Sequence, residues 1–204
     1  MLEYGCGEGK FAVSLASLGA TVDAIDISGV ALETASRNAA AQHAMIGFRL
    51  MNAEDLEYED DTFDLICGRS ILHHLDLEQA LSEISRTLKA DGKAIFLEPL
   101  GHNPILNVAR RVTPQLRSAD EHPLLSVDIE SARRHFESVE ARYFHLSSLL
   151  AIPFRRAPGV RALVRALEAF DKILVATFLR KYAWVVVLTL ARPKKSSAHR
   201  RPSR

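Results

Sequence analysis

Three glycines alternate with other residues in Glu3-Tyr4-Gly5-Cys6-Gly7-Glu8-Gly9, between the short apolar run Met1 to Tyr4 and a segment, Lys10 to Leu18, whose apolar residues 11, 12, 15, 16 and 18 share one helical face. A strand that passes through a glycine turn into a helix lets backbone approach a ligand closely and meets it with the positive end of the helix. Asp26 ends the next apolar run, 19 residues after Gly7. That is about where an acid accepts both hydroxyls of a ribose in nucleotide-binding α/β folds. The spacing is E-x-G-x-G-x-G, whereas the dinucleotide fingerprint needs glycine where Lys10 stands. An NAD-linked oxidoreductase is disfavoured on that ground, and no Tyr-x-x-x-Lys pair after a strand argues for one.

Apolar runs and helical patterns keep alternating, the sign of βαβ units wound on a parallel sheet. Strands are expected at Met1 to Tyr4, Thr21 to Ile27, Ile46 to Leu50, Phe63 to Gly68, Lys93 to Leu97, Val139 to Leu146 and Tyr182 to Leu190. Helices are expected at Lys10 to Leu18, stopped by Gly19, from a Ser28 cap to Ala41, over Leu77 to Leu88, from Ser126 or Asp128 to Phe136, and over Val160 to Lys181. Between Pro99 and Leu125 the alternation stops, with four prolines and no long periodic run. Such insertions in compact domains are usually functional. No internal repeat is visible.

With 48% hydrophobic and 25% charged residues, 204 residues suffice for one domain with a sizeable core. Disorder, collagen and a disulfide scaffold are excluded. Cys6 and Cys67 lack metal-ligand spacing, so free thiols, a cytoplasmic location and no metal are expected. The formal charge of +1 hides a division: residues 1–100 hold 17 acids and 7 bases, residues 101–204 hold 8 and 19. No basic leader precedes an apolar run at the start. The most apolar stretch, Ile173 to Ala191, is interrupted by Arg180 and Lys181, each costing roughly 2.5–3.5 kcal/mol at a bilayer centre, so a spanning helix is a poor reading. The tail after Arg192 carries bases and no acid, and is expected to be disordered from 193 to 204.

On these residues the chain resembles class I S-adenosylmethionine-dependent methyltransferases of the small-molecule type, related to the ubiquinone and menaquinone biosynthesis enzymes. Besides the glycine turn and Asp26, the motifs that carry the resemblance are Asn52-Ala53-Glu54-Asp55-Leu56, Phe63-Asp64-Leu65-Ile66, Ile71-Leu72-His73-His74-Leu75 and Ser85 to Lys93. The likeness covers residues 1 to about 98. Beyond it, Glu98 to Pro104 and Asp120 to Leu124 match only a subgroup pattern of bacterial methyltransferases. The resemblance implies a Rossmann-like, doubly wound seven-stranded sheet, order 3-2-1-4-5-7-6, mostly parallel with an antiparallel last strand. It implies S-adenosylmethionine as cofactor, held by Glu3, Gly5, Gly7, Gly9, Asp26, Ile27, Asn52, Ala53, Glu54, Asp55 and Arg69. Relatives usually carry helices before the first strand, where Met1 stands here, so either a truncated start or an unusually open site is expected.

The resulting expectation is a methyltransferase domain over residues 1–192, with 99–126 as a substrate cap, acting on a small or medium-sized, hydrophobic organic acceptor. Glu98, at the end of a central strand, and His73 and His102 are the candidate catalytic groups. Leu100, Ile105, Leu106, Val108, Leu116, Leu124 and Leu125 would line the acceptor pocket and Arg110, Arg111 and Arg117 its rim, with one stripe of the 160–181 helix buried. No nucleic-acid partner is expected; peripheral membrane contact is compatible with the basic second half. The rival reading is a non-catalytic S-adenosylmethionine-binding or partner-regulating protein.

Overall fold

The computed structural model describes residues 1–112 and 122–195. Seven strands, β1 (Leu2–Tyr4), β2 (Val22–Asp26), β3 (Ile46–Leu50), β4 (Phe63–Arg69), β5 (Leu88–Pro99), β6 (Phe136–Phe144) and β7 (Val185–Pro193), form one sheet in the order β3-β2-β1-β4-β5-β7-β6. The first five are parallel to their neighbours, and β7 runs antiparallel between β5 and β6. This is the expected Rossmann-like, doubly wound α/β sheet. The helices are α1 (Lys10–Ser17), α2 (Gly29–Ala41), α3 (Leu77–Thr87), α4 (Pro104–Val112), α5 (Ser126–Ser131) and α6 (Val160–Leu174).

Alternation along β2 sends Val22 and Ala24 into a cluster with Ala12 of α1 and Leu32 of α2, and Ile25 into the main core with Tyr4, Ile66, Ile84 and Phe96. Helices therefore cover both faces. On the α1/α2 side Ile95 and Leu97 of β5 remain 38% and 37% exposed. Local chemistry starts the helices where it should: the Ser28 hydroxyl accepts from the Ala31 N–H at the head of α2, and the Asp76 carboxylate from the Gln79 N–H at the head of α3.

Several boundaries differ from expectation. β5 begins at Leu88, because the Ala90–Gly92 turn is a bulge within the strand: Phe63 pairs with Leu88 and Leu65 already with Lys93. The insertion contains a helix, α4, whose cap is Asn103, its side-chain oxygen accepting from the Ile105 and Leu106 N–H groups. The helix from Ser126 stops at Ser131, and β6 starts at Phe136, three residues early. Neither Ser126 nor Asp128 caps it in the expected sense; Leu125 is the cap residue and its N–H donates to the Asp128 carboxylate. The long helix ends at Leu174, followed by a 3₁₀ turn, Phe178–Tyr182, so the last strand starts at Val185. α6 does not bury an apolar stripe: only Asp171 is buried, Val164, Leu167 and Leu174 are half-buried, and Leu163, Phe170 and Ile173 are exposed. The expected disorder from 193 does not hold for its first three residues: Pro193 ends β7, the Lys194 N–H donates to the His135 carbonyl and Lys195 Nζ to the Ser85 and Arg86 carbonyls, while residues 196–204 lie outside the described residues. Among the described residues no helix is long and apolar enough to cross a membrane.

Candidate active site

The carboxyl ends of β3, β2, β1 and β4 lie side by side, and chain direction reverses its winding between β1 and β4, the place where open α/β sheets bind ligands. The glycine turn after β1 is tied to β2 at two points: the Cys6 N–H donates to the Ile25 carbonyl (2.9 Å) and the Gly7 N–H to Asp26 Oδ2 (2.8 Å). The other Asp26 oxygen accepts from the Ser28 N–H (2.9 Å). A carboxylate offers about four lone-pair sites, so half-buried Asp26 keeps capacity for two more donors. Gly7 has φ +52°, and a Cβ built on it would meet nothing within 4 Å, so that side of the turn is open. Gly9 has φ +73° and a Cβ there would sit 2.8 Å from the Ala35 Cβ, so α1 and α2 pack as closely as they do only around a glycine.

Beneath the turn, Glu3 is 3% exposed and its Oε2 has no hydrogen-bond partner. Burial pushes its pKa up to about 7, against the opposing pull of Arg69 and the Ala12 amide. Glu3, Gly5, Cys6, Glu8, Lys10, Phe11 and Arg69 line a cavity of about 190 Å³. The Arg69 guanidinium lies 4.9 Å from the Phe11 ring centre. A buried acid with one unpartnered oxygen, lining a cavity rimmed by an open glycine turn, fits a ligand that carries positive charge. The Cys6 and Cys67 thiols, pushed up to about 12 by burial, are not nucleophiles at neutral pH.

The loop after β3 joins the same edge through the Met51 N–H, which donates to the Asp26 carbonyl. Asn52 Oδ1 accepts from the Glu54 N–H, and Glu54 Oε1 accepts from the Asp76 N–H at the head of α3 (2.7 Å). Ala53 is buried, Asp55 is exposed, and Ile27 stands 78% exposed beside Asp26. Glu83 and Arg86 of α3, absent from the expected site, hold this loop from behind. Arg86 donates to both Glu83 oxygens and to the Leu56 and Tyr58 carbonyls, and the Leu56 N–H donates to Glu83. The signal for them is an i, i+3 acid–base pair interleaved with Ala80, Leu81 and Ile84, the apolar residues that α3 buries.

On the far side of β4 the three expected catalytic groups are occupied otherwise. Glu98 is fully buried, accepts from the Ile71 and Leu72 N–H groups (3.0 Å each) and lies 2.7 Å from His73 Nδ1. His73 is 4% exposed, and its carbonyl accepts from the His122 N–H. Glu98 and His73, expected as catalytic groups, are here a buried pair that braces the turn after β4. His102 Nε2 accepts from the Ser126 N–H (3.0 Å) and so caps α5. Among the described residues, Leu100 and Leu124 are core residues, Ile105 and Val108 are 71% and 58% exposed, and Arg110 is bonded to the Leu100 carbonyl and Asn107, so these members of the expected acceptor pocket and rim are divided between the core and the surface. Leu116 and Arg117 lie outside the described residues. Among the described residues no group of His, Cys, Asp and Glu could hold a metal.

Residues 2–96 match a family model described as a methyltransferase domain. Ubiquinone biosynthesis O-methyltransferase of Paraburkholderia xenovorans (strain LB400) is 34% identical over 104 residues, 50% of this chain and 45% of that protein. Its counterpart in Mesorhizobium japonicum is 34% identical over 112 residues, covering 47% of this chain and 45% of the other. The chain thus spans about half the length of the curated relatives it matches. Among solved structures, phosphoethanolamine N-methyltransferase 2 of Haemonchus contortus in complex with S-adenosyl-L-methionine superimposes with a TM-score of 0.67 at 18% identity, over 95% of this chain and 48% of that one. The [4+2]-cyclase SpnF superimposes with a TM-score of 0.61 at 20% identity, over 95% and 74%.

Proposed function

We propose, from the match of residues 2–96 to a methyltransferase-domain model, that this chain is a methyltransferase that binds S-adenosylmethionine and transfers its methyl group to a hydrophobic organic acceptor. One observation carries the cofactor: the buried, unpartnered Glu3 oxygen under a glycine turn whose Gly7 side is open, with Asp26 at the adjacent strand tip. Bound there, the cofactor supplies a methyl group on a sulfonium already activated for transfer.

The chain's own residues then bind and orient. Glu3 offers negative charge to the cationic end, Asp26 takes the ribose hydroxyls, and Asn52 to Asp55 with Ile27 face the base. Arg69 and Lys10 stand where a carboxylate would need cations. Alignment of acceptor and methyl is the main contribution, worth up to about 7–11 kcal/mol in favourable cases. Glu98 and His73 act as positioning residues: they hold the 71–73 turn that forms the acceptor side of the site. The fold itself also hosts a cyclase, so the reaction is argued from the site and the family match together.

The acceptor reading rests on exposed Ile105 and Val108 of α4, the helix that follows β5 in the chain, and on the relatives named for ubiquinone biosynthesis. The test is calorimetry with S-adenosylmethionine, S-adenosylhomocysteine and NAD, followed by transfer of labelled methyl onto phenolic, quinol and lipid-like acceptors against sugars and amino acids. Binding of the first two alone, and labelling of hydrophobic acceptors, are expected. Binding without any transfer would leave a non-catalytic cofactor-binding protein; a sugar or amino acid as best acceptor would end the hydrophobic reading.

A further inference from the structure

Between Phe144 at the end of β6 and Val185 at the start of β7 the chain makes a 3₁₀ segment (Ser148–Phe154), α6 and the 3₁₀ turn Phe178–Tyr182, packed on one another. α6 has three sides. One, with Val164, Leu167, Asp171 and Leu174, rests on protein, where the Asp171 carboxylate accepts from the Leu146 and Ser147 N–H groups and the Ser147 and Ser148 hydroxyls. A second carries Leu163, Phe170 and Ile173 into solvent. A third carries Arg161, Arg165 and Lys172, all exposed. Phe154 of the preceding segment and Phe178 of the following turn, both in segments that pack on α6, are exposed as well, and Ile173 and Phe178 are 64% and 77% exposed. Arg155, Arg156 and Arg180 of the flanking segments are exposed too, Arg180 with its guanidinium 5.8 Å from the Tyr143 ring centre. Against these cations the excursion from 148 to 182 has one exposed acid, Glu168.

Helices with large apolar side chains on one face and Lys or Arg on the neighbouring face are built to lie in the interface of an anionic bilayer, apolar groups among the acyl chains and cations at the phosphates. A symmetric contact with a second copy would set the same basic rim against itself, since an isologous interface presents one patch to its duplicate. We propose that the 148–182 excursion is a peripheral docking surface for an anionic phospholipid bilayer, with Phe154, Phe170, Ile173 and Phe178 inserted and the flanking arginines on the headgroups. Val185 pairs with Pro99 and Phe144, so the excursion sits at the carboxyl end of β5, the acceptor side of the site. A membrane-borne acceptor would then be met where it dissolves; that consequence rests on the proposed function, the docking does not.

The experiment is co-sedimentation of the full 204-residue chain with phosphatidylcholine vesicles, with and without phosphatidylglycerol, in the absence of cofactor. Binding is expected only with the anionic lipid and should fall with added salt. Two double variants, Arg161→Gln with Arg165→Gln and Phe170→Ser with Ile173→Ser, change exposed side chains only, and unchanged circular dichroism serves as their folding control. Each neutralised arginine should weaken partitioning about fivefold, the equivalent of about 1 kcal/mol, and the apolar pair should weaken it at least as much. No binding to anionic vesicles, binding indifferent to both variants, or a dimer in solution that the apolar pair dissociates would each overturn the proposal. Because no methyl donor is present, failure of the methyltransferase reading would not mimic any of these results.

Discussion

α2 has 13 residues and buries Leu32, Ala35 and Ala39 against the sheet; α6 has 15 residues with larger apolar side chains and buries none of them, only Asp171. Both are amphipathic by sequence. The difference is where the apolar side points. α2 lies across β2 and β3, and small residues suffice because Gly9 lets α1 come within contact of Ala35. α6 touches its own flanking segments and leaves Leu163, Phe170 and Ile173 in water. An apolar face that a fold does not use is available for something else, whereas one packed at core density is committed.

The largest expected effect comes from breaking the committed side. Gly9→Val would place a branched side chain at φ +73° and a Cβ 2.8 Å from that of Ala35. Left-handed strain of roughly 1–2 kcal/mol and overpacking of about 1–3 kcal/mol should add to a stability loss of about 2–5 kcal/mol, read by urea denaturation. A loss below about 1 kcal/mol would mean that α1 and α2 separate easily and that the contrast with α6 is overstated.

Asp26→Ala should come next. It removes the acceptor of the Gly7 and Ser28 N–H groups and, on the proposed function, both ribose bonds. Cofactor affinity should drop by about 1.5–3 kcal/mol for each charged bond lost, with a smaller stability loss because both amides can reach water. Calorimetry showing native affinity in this variant would remove Asp26 from the site. Glu98→Gln sharpens the division of roles on the other side of β4. It should cost about 1–3 kcal/mol of stability through weaker bonds to the Ile71 and Leu72 amides while leaving cofactor affinity near native. Collapse of kcat in a variant of native stability would instead make Glu98 a base.

Glu3 provides a pH test. Its pKa is about 7 in the fold against an ordinary 4.5, so the folded protein holds this proton more tightly than the unfolded chain. Stability is therefore unpenalised below about 4.5, declines as pH rises to about 7, and stays lower above by at most about 3 kcal/mol. Glu3→Gln should flatten that decline and be the more stable protein at alkaline pH. Its cofactor affinity should also lose the rise between pH 6 and pH 8 that a newly charged Glu3 gives the native protein. The comparison of the two proteins is the readout, since the ligand's own ammonium is common to both.

What could be read from the sequence follows the same division. The glycine turn and the position of Asp26 at the tip of β2 are legible because a tight strand-to-helix turn demands glycine at particular spacings; the free thiols follow from two cysteines far apart in sequence, and the strand order follows from the family resemblance alone. Glu98 and His73 stand out in the sequence as two polar residues after central strands, but their pairing and burial are not legible there, since nothing local shows that the Ile71 and Leu72 amides point at Glu98. α4 was missed although Asn103-Pro104 is a cap followed by a proline suited to the first helical turn, because its exposed apolar residues hid the period. α6 was found and its face misassigned: periodicity locates an apolar side, and only packing says whether protein covers it.

The smallest predicted effect bears most directly on that last point. Ile173→Ser alone should change unfolding free energy by no more than about 0.5 kcal/mol, since a side chain 64% exposed has little area left to lose. Val22→Ser, at a β2 position that is 2% exposed, removes a side chain whose burial is worth about 1.5–3 kcal/mol and buries a hydroxyl in its place. Denaturant midpoints of the two variants, taken with unchanged slopes, measure directly how far the two apolar faces differ. Should Ile173→Ser cost as much as Val22→Ser, α6 is covered in solution by protein, and its solvent-facing side would have to be redrawn as an interface between chains.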